Sequence, residues 1–306
     1  MATDKDHKLE FTIVLPARNE ILGLQKLLPV LTEQYPNSQI IVVNDGSEDN
    51  TVTLCKDFPV EVISHPYSMG NGAAIKTGAR HARHDRVVFM DADGQHNPDD
   101  ILRLLDKMDE GYEMVVGARK SSTHASLLRQ IANRIYNGLA SIMTGYRIED
   151  LTSGFRVARA RHFKKFLYLL PNGFSYPTTS TMAFFKSGLA VGYVQIHATK
   201  REGKSHIRLF RDGFRFFLII LKIGALFSPM RLFLPIAASL FCIGISYYGY
   251  TYFTAGRFTN MSALLFTSSL LTFLIGLLSE QVSSLHYKGV QEDMRRQKRD
   301  DTGDED

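Results

Sequence analysis

Two stretches near the C-terminus constrain this chain more than any other feature. Leu232 to Thr254 and Phe258 to Ser279 run for about 23 and about 22 residues without a formal charge, and about 20 helical residues cross a hydrocarbon core ~30 Å thick. They read as two transmembrane helices joined by the short link Ala255-Gly256-Arg257. A pair of buried core helices is the competing reading, but uncharged runs this long exceed ordinary globular helices. Basic residues crowd the outer flanks. Arg208, Arg211, Arg215, Lys222 and Arg231 precede the pair, Lys288, Arg295, Arg296, Lys298 and Arg299 follow it, and only Arg257 lies between. That asymmetry places both ends in the cytoplasm. Ahead of the pair, Ile207 to Phe227 mixes Phe, Leu and Ile with spaced Arg and Lys, the pattern of a helix lying in the membrane interface. An amphipathic helix packed on the preceding domain has the same pattern.

The first two hundred residues follow another plan. Met1 to Glu10 is polar and lacks the apolar segment of a cleaved signal peptide, so the first domain is expected in the cytoplasm. Short runs rich in Val and Ile read as strands: Phe11 to Leu15, Gln39 to Val43, Val60 to Ser64, Arg86 to Met90 and Met114 to Val116. Ile21 to Leu31 and Asn97 to Glu110 carry helical spacing between them. The alternation predicts an α/β domain with a mostly parallel sheet, whose ligands gather at the C-terminal ends of the strands. The two cysteines, Cys55 and Cys242, form neither a disulfide framework nor a paired zinc spacing. A net charge of +5 suits an anionic membrane or a phosphate-bearing ligand without demanding nucleic acid. The acidic end, Asp300 to Asp306, reads as a disordered tail.

Four motifs follow the predicted strands. Asp91-Ala92-Asp93 sends two carboxylates the same way at a strand end, where they can share a hard divalent cation completed by phosphate oxygens. Alone, such a pair is a weak signal, since acids also open helices and terminate strands. Pro16-Ala17-Arg18-Asn19-Glu20, Asn44-Asp45-Gly46-Ser47 and the run Gly70 to Gly78 stand after the first, second and third strands. The Asn44 motif by itself is a turn and cap, and the glycine run a loop opening a helix. The run is no dinucleotide fingerprint, since Ile75 takes the last glycine position, and a nicotinamide enzyme is disfavoured.

Taken in order, P-A-R-N-E, V-N-D-G-S, G-N-G-A-A-I-K-T-G, D-A-D-G-Q-H, G-A-R and D-L-T-S-G-F-R resemble family 2 glycosyltransferases over roughly residues 9 to 206. Thr152-Ser153-Gly154-Phe155-Arg156, Arg201-Glu202-Gly203-Lys204-Ser205 and the terminal hairpin resemble the polyprenyl-phosphate branch related to dolichyl-phosphate mannose synthase. Asn44 and Leu151 depart from the usual D-D-G-S and D-P-T-S-G-F-R. The resemblance implies a GT-A catalytic domain, Rossmann-like with a mostly parallel sheet, over 1–206. It further implies a juxtamembrane amphipathic segment over 207–230, two transmembrane helices over 231–286 and a charged cytoplasmic tail over 287–306.

The same resemblance implies roles. Pro16, Arg18, Glu20 and Asp45 would line the nucleotide pocket, and Asp91, Asp93 and Gln95 would hold Mg²⁺ or Mn²⁺ against a diphosphate. Arg119, Arg129 with Asn133, Arg201 and Lys204 would gather the acceptor phosphate, while the tract containing Ser153 would shape the sugar region. Asp93, Arg119 and Arg201 would carry the catalysis. The implied reaction is inverting transfer of one hexose from a nucleoside diphosphate sugar, GDP-mannose or UDP-glucose, to a dolichyl or undecaprenyl phosphate. Partners are then these two substrates and the membrane, with no nucleic acid and with homo-oligomerisation open. Asp150 could orient sugar or acceptor, cap a turn, or pair with Arg147 or Arg156. Glu280 should sit at the cytoplasmic interface or pair across the hairpin. A processive polysaccharide synthase would carry Q-x-x-R-W, and this chain has no Trp. A non-catalytic membrane scaffold that binds nucleotide sugar is the alternative, with intact Asp91, Asp93 and Arg201 against it.

Overall fold

The computed structural model describes residues 10–119, 127–173, 175–197 and 224–302, with backbone only for 127–133 and 286–302. Two compact units divide the chain: Met1–Gly138 with Arg147–His206, and Leu139–Tyr146 with Ile207–Asp306.

In the first unit the expected strands appear as β1 (Thr12–Ala17), β2 (Gln39–Asn44), β3 (Glu61–Ser64), β4 (Arg86–Phe89) and β5 (Met114–Arg119). Between them lie α1 (Ile21–Gln34), α2 (Thr51–Cys55), α3 (Asn71–His81) and α4 (Asp100–Asp109). Every residue of β1 is buried, as is every residue of β2 after Gln39. Unbroken apolar runs of this kind suit strands covered on both faces. Leu24, Leu27, Leu28 and Leu31 of α1 join Ile101, Leu104, Leu105 and Met108 of α4 in one core with Ile13, Leu15 and Val88.

The chain continues through α5 (Leu127–Thr144), β6 (Arg156–Arg159), α6 (Ala160–Lys165), α7 (Tyr176–Lys186) and β7 (Val191–Ile196). The seven strands stand in the order β3-β2-β1-β4-β6-β5-β7. Six of them take part in parallel pairs, and β6 is wedged antiparallel between β4 and β5, so that Arg156 opposes both Phe89 and Val116. Because β6 runs the other way, its N-terminal end meets the C-terminal ends of β4 and β5. The loop 150–155 is thereby delivered beside Asp91 and Arg119. Sequence reading finds neither β6, four residues with an arginine at each end, nor β7, whose half-buried residues show no clean alternation.

In the second unit α8 (Pro229–Ala255) and α9 (Asn260–Thr302) form an antiparallel hairpin. Pro229–Ala255 and Asn260–Leu285 are each long and apolar enough to cross a membrane, and their apolar windows are only 11% and 17% buried within the protein. Gly256, in the left-handed conformation, ends α8 with its N–H on the Tyr252 carbonyl, 3.0 Å away. The helices approach closely at Gly244 and Gly276, and Ser269 donates to the Ala237 carbonyl at 2.8 Å. Glu280 pairs across the hairpin. Its carboxylate accepts the Met230 N–H at 3.1 Å, in the first turn of α8 where the helix dipole favours negative charge. The α9 backbone stays helical to Thr302, so helix replaces the expected disordered tail over 300–302, while 303–306 lie outside the described residues.

A Cβ on Gly276 would fall 2.7 Å from the Cβ of Phe233 and 3.3 Å from Met230 Sδ, whereas Gly249 has open space around it. Gly276→Val is expected to cost about 1–3 kcal/mol through overpacking. Thermal unfolding in detergent checks this: the midpoint falls for Gly276→Val and does not fall for Gly249→Val.

Candidate active site

The turn after β4 holds the two carboxylates, and glycines on either side let the chain close around it. On α1, a Cβ at Gly23 would lie 2.1 Å from the Ala92 carbonyl oxygen. Only glycine lets the helix seat the Asp91–Asp93 turn. From the loop before β6, a Cβ at Gly154 would lie 2.8 Å from Asp91 Oδ2. The Tyr176 hydroxyl fixes that glycine by donating to its carbonyl at 3.1 Å. Asp93 Oδ1 accepts the Gln95 N–H at 3.2 Å. Burial pushes the Asp91 pKa up and the neighbouring Asp93 adds to this, against His96, Arg119 and a hydrogen bond from Asn71. His96, stacked on Phe155 with ring centroids 4.9 Å apart, is pushed down by burial.

These carboxylates face a cavity of about 400 Å³. Pro16, Arg18 and Glu20 reach it from the end of β1, Asp45 from β2, and Thr152, Gly154, Tyr176 and Pro177 close the far side. The nucleotide-pocket residues expected from sequence thus share one cavity with Asp91 and Asp93. Gln95 is not among its lining residues. Ser153, expected to bind substrate, is wholly buried: its N–H goes to Asp150, its hydroxyl to the Phe155 carbonyl and its own carbonyl to Arg156. Thr152 and Gly154, on either side of it in the chain, line the cavity instead.

The loops after β1 and β2 are clasped together. Asn19, at φ +55°, donates its N–H to Ser47 Oγ at 3.0 Å and accepts the Glu48 N–H at 2.8 Å. Asp45 turns its carboxylate inward. It bonds His65 Nδ1 at 2.8 Å and accepts the Ser68 hydroxyl at 2.9 Å and the Met69 and Gly70 N–H groups at 2.8 Å each. Burial pushes its pKa up, but these bonds overcome it and hold Asp45 below the ordinary carboxylate range. Asp45 therefore fastens the 65–70 loop to the cavity rim, with about four lone-pair sites already used. The glycine run likewise serves chain contact. Cβ atoms at Gly70 and Gly72 would lie 2.4 Å from the Asn172 carbonyl oxygen and 2.1 Å from that of Pro171, and the Ala73 N–H donates to Asn172 at 3.1 Å.

Arg119 closes the other side. Its Nε donates to Asp150 Oδ2 at 2.9 Å, and its NH2 donates to Asp150 Oδ1 at 3.2 Å and Thr152 Oγ1 at 2.7 Å. The same carboxylate accepts the N–H groups of Thr152 and Ser153 at 3.0 and 3.1 Å. Asp150 thus pairs with Arg119, not with Arg147 or Arg156. Burial pushes Asp150 up, yet Arg119 and these N–H donors bring it below the ordinary range. Arg156 is fully buried and bonds the Pro177 carbonyl at 2.9 Å, Ser180 at 2.7 Å and Thr181 at 3.1 Å, with its guanidinium over the Tyr176 ring. The side chains of Arg129 and Asn133, and the whole of Arg201 and Lys204, lie outside the described residues.

Comparison with known proteins gives the following. The family description "Glycosyl transferase family 2" matches residues 12–167, and "GtrB C-terminal hairpin" matches residues 228–285. The chain is 27% identical over 205 residues to the polyprenol monophosphomannose synthase of Mycolicibacterium smegmatis, covering 62% of this chain and 77% of that one. It is 26% identical over 309 residues to the undecaprenyl-phosphate 4-deoxy-4-formamido-L-arabinose transferase of Yersinia pestis, covering 90% and 88%. Among solved structures, the glucosyl-3-phosphoglycerate synthase of Mycobacterium tuberculosis in complex with Mn²⁺ and UDP-glucose shares the fold, at TM-score 0.54 and 20% identity over 70% of this chain and 77% of that one.

Sequence reading misses Gly23 and Tyr176, and gives Asn71 only as a member of the glycine run. Gly23 sits inside a helical pattern with no turn signal, and Tyr176 is brought to Gly154 only by the tertiary fold.

Two expectations follow from these contacts. Asp45→Ala should speed backbone amide exchange at Met69 and Gly70 while leaving β1 protected, as hydrogen exchange read by mass spectrometry would show. A carboxylate with a depressed folded pKa stabilises fully above its unfolded value, near about 4, and loses that contribution as pH falls through the folded value. Asp150→Asn should therefore lower stability at pH ~7 and flatten its decline on acidification, measured by thermal unfolding between about pH 7 and pH 3.

Proposed function

This chain belongs to glycosyl transferase family 2, and we propose that it moves one sugar from a nucleoside diphosphate sugar to a polyprenyl phosphate held in the membrane. The observation that carries the proposal is the cavity in which Asp91 and Asp93 face the loop ends of β1 and β2, in a chain that also bears a hairpin long enough to span a bilayer. Relatives named for polyprenyl-phosphate mannose and arabinose transfer support the acceptor class. Mannose and glucose, as GDP-mannose or UDP-glucose, are the proposed sugars. The catalytic domain and both termini are assigned to the cytoplasm on the basic flanks of the spans.

The carboxylate pair fits a divalent cation. Among the described residues no three His, Cys, Asp or Glu side chains converge, so the site suits an ion whose remaining ligands come from a diphosphate. Asp91 and Asp93, with Gln95, would hold Mg²⁺ or Mn²⁺, which when bound neutralises charge on the leaving diphosphate. Pro16, Arg18 and Glu20 receive the nucleoside, and Asp45 keeps the rim in place. On the acceptor side, Asp150 binds Arg119 through Nε and NH2, and among the described residues NH1 makes no hydrogen bond and is offered to the lipid phosphate; Arg129, Asn133, Arg201 and Lys204 complete that role by resemblance.

The acceptor phosphate is largely ionised near pH 7, its second pKa being about 6. Its oxygen attacks the anomeric carbon as the bond to the diphosphate oxygen breaks, inverting that carbon and releasing the nucleoside diphosphate. No proton has to be removed from the nucleophile, in keeping with glycine and not an acid at position 154.

The test presents the purified protein with a polyprenyl phosphate, Mg²⁺ or Mn²⁺ and separately labelled nucleotide sugars, and counts label extracted into organic solvent. One donor is expected to label the lipid, and Asp93→Ala to reduce this by about 10²-fold or more. A folded protein that binds nucleotide yet labels no lipid with any donor would overturn the proposal.

A further inference from the structure

Asn19 is the one described residue other than glycine whose φ is positive, at +55°. Left-handed backbone is unfavourable for an L residue, least so for Gly, Asn and Asp, and it persists where the surroundings fix it. What fixes it lies in the loop after β2. The Asn19 N–H donates to Ser47 Oγ at 3.0 Å, and Asn19 Oδ1 accepts the Glu48 N–H at 2.8 Å. Two residues on, the Ile21 N–H donates to Asp49 Oδ2 in a longer bond of 3.4 Å.

The receiving loop is itself braced. The Ser47 N–H donates to Asn44 Oδ1 at 2.9 Å, Asn44 Nδ2 donates to Ser64 Oγ at 3.1 Å, and Asp49 Oδ1 accepts the Thr51 N–H at 3.1 Å. Where the two loops leave the sheet, the Asp45 N–H donates to the Ala17 carbonyl at 2.8 Å.

These bonds bracket Glu20. It occupies the N-cap position of α1, where a side-chain oxygen ordinarily accepts one of the first N–H groups of the helix. Glu20 makes no such bond, and Asp49 receives the Ile21 N–H from the other loop. A Ser, Thr, Asp or Asn at position 20 would engage its oxygen in the helix. Arg18 and Glu20 line the cavity, while Asn19 between them does not. Asn19 thus directs its polar atoms to the neighbouring loop, and the residues on each side of it meet the ligand space.

We infer that Asn19, with Ser47 and Asp49, is a positioning residue for nucleotide binding. The bracket fixes the peptide groups on both sides of Glu20, so its carboxylate meets the nucleoside without a loop having to order first. A contact made by a group already fixed costs less conformational entropy than one made from a mobile loop. Asn19 touches no substrate and acts through Glu20. The inference rests on the nucleotide-sugar reading above and adds that the rim is two loops acting as one.

A thermodynamic cycle tests it, read by isothermal titration calorimetry of UDP and of GDP, each with Mg²⁺, into the full chain in detergent. Asn19→Gly keeps the left-handed backbone and removes the Oδ1 acceptor. Glu20→Gln alone should weaken the better-bound nucleotide about tenfold, and Asn19→Gly alone about fivefold. Added to Glu20→Gln, Asn19→Gly should cost less than about twofold more, because the carboxylate it positions is gone. Equal losses in both backgrounds overturn the inference and leave the transfer reading standing, as does wild-type affinity in either single variant. Wild-type protein that binds neither nucleotide overturns the reading beneath it. Ser47→Ala, which removes the acceptor of the Asn19 N–H from the opposite loop, takes the place of Asn19→Gly in the cycle if thermal unfolding shows that variant to be unfolded.

Discussion

The first unit is arranged around two carboxylates held at the end of a buried strand. Two negative charges there are unfavourable unless the surroundings fix their geometry and leave a cation or a charged ligand room to approach. The protein supplies the geometry through backbone. Gly23 brings α1 onto the turn from one side, Gly154 brings β6 onto Asp91 from the other, and the Asn71 amide holds Asp91 from a third. The antiparallel insertion of β6 makes this possible, because a parallel strand would start its loop at the opposite edge of the sheet.

A second constraint lies beneath the cavity wall. Arg156 places a guanidinium in the core, where burial pushes its pKa down against the pull of Tyr176, Tyr193, Asp150 and Asp91. Carbonyls of Ser153 and Pro177, hydroxyls of Ser180 and Thr181 and the Tyr176 ring offset the loss of hydration. The same bonds tie the Thr152–Gly154 segment to the start of α7, so two walls of the cavity are joined through one buried side chain. Asp150 does this again nearer the surface, joining β5 to the same segment through Arg119.

The second unit shows the opposite economy. Its helices expose large apolar side chains along most of their length, and polar groups inside it are matched one to one: Glu280 with the Met230 N–H, Ser269 with the Ala237 carbonyl, Ser283 with the Leu226 carbonyl. In hydrocarbon an unmatched polar group has no water to turn to, so pairing of this kind is required where surface polarity is not.

The sequence by itself determined the two long apolar helices, the first five strands and the motif residues that converge on the cavity, because uncharged length, buried-strand composition and strand-end position are local properties of the chain. For Glu280 it left open an interfacial position or a pair across the hairpin, and the structure shows its carboxylate accepting the Met230 N–H. Tertiary structure alone decided that Asp45 and the glycine run hold protein, that Ser153 faces inward while Thr152 and Gly154 face the cavity, and that Asp150 belongs to Arg119. It also supplied β6, β7, Gly23 and Tyr176. The physical reason is the same throughout: which oxygen a carboxylate meets, and which side of a segment is open, depend on chain brought from 20 to 60 or more residues away, and no local pattern records that approach.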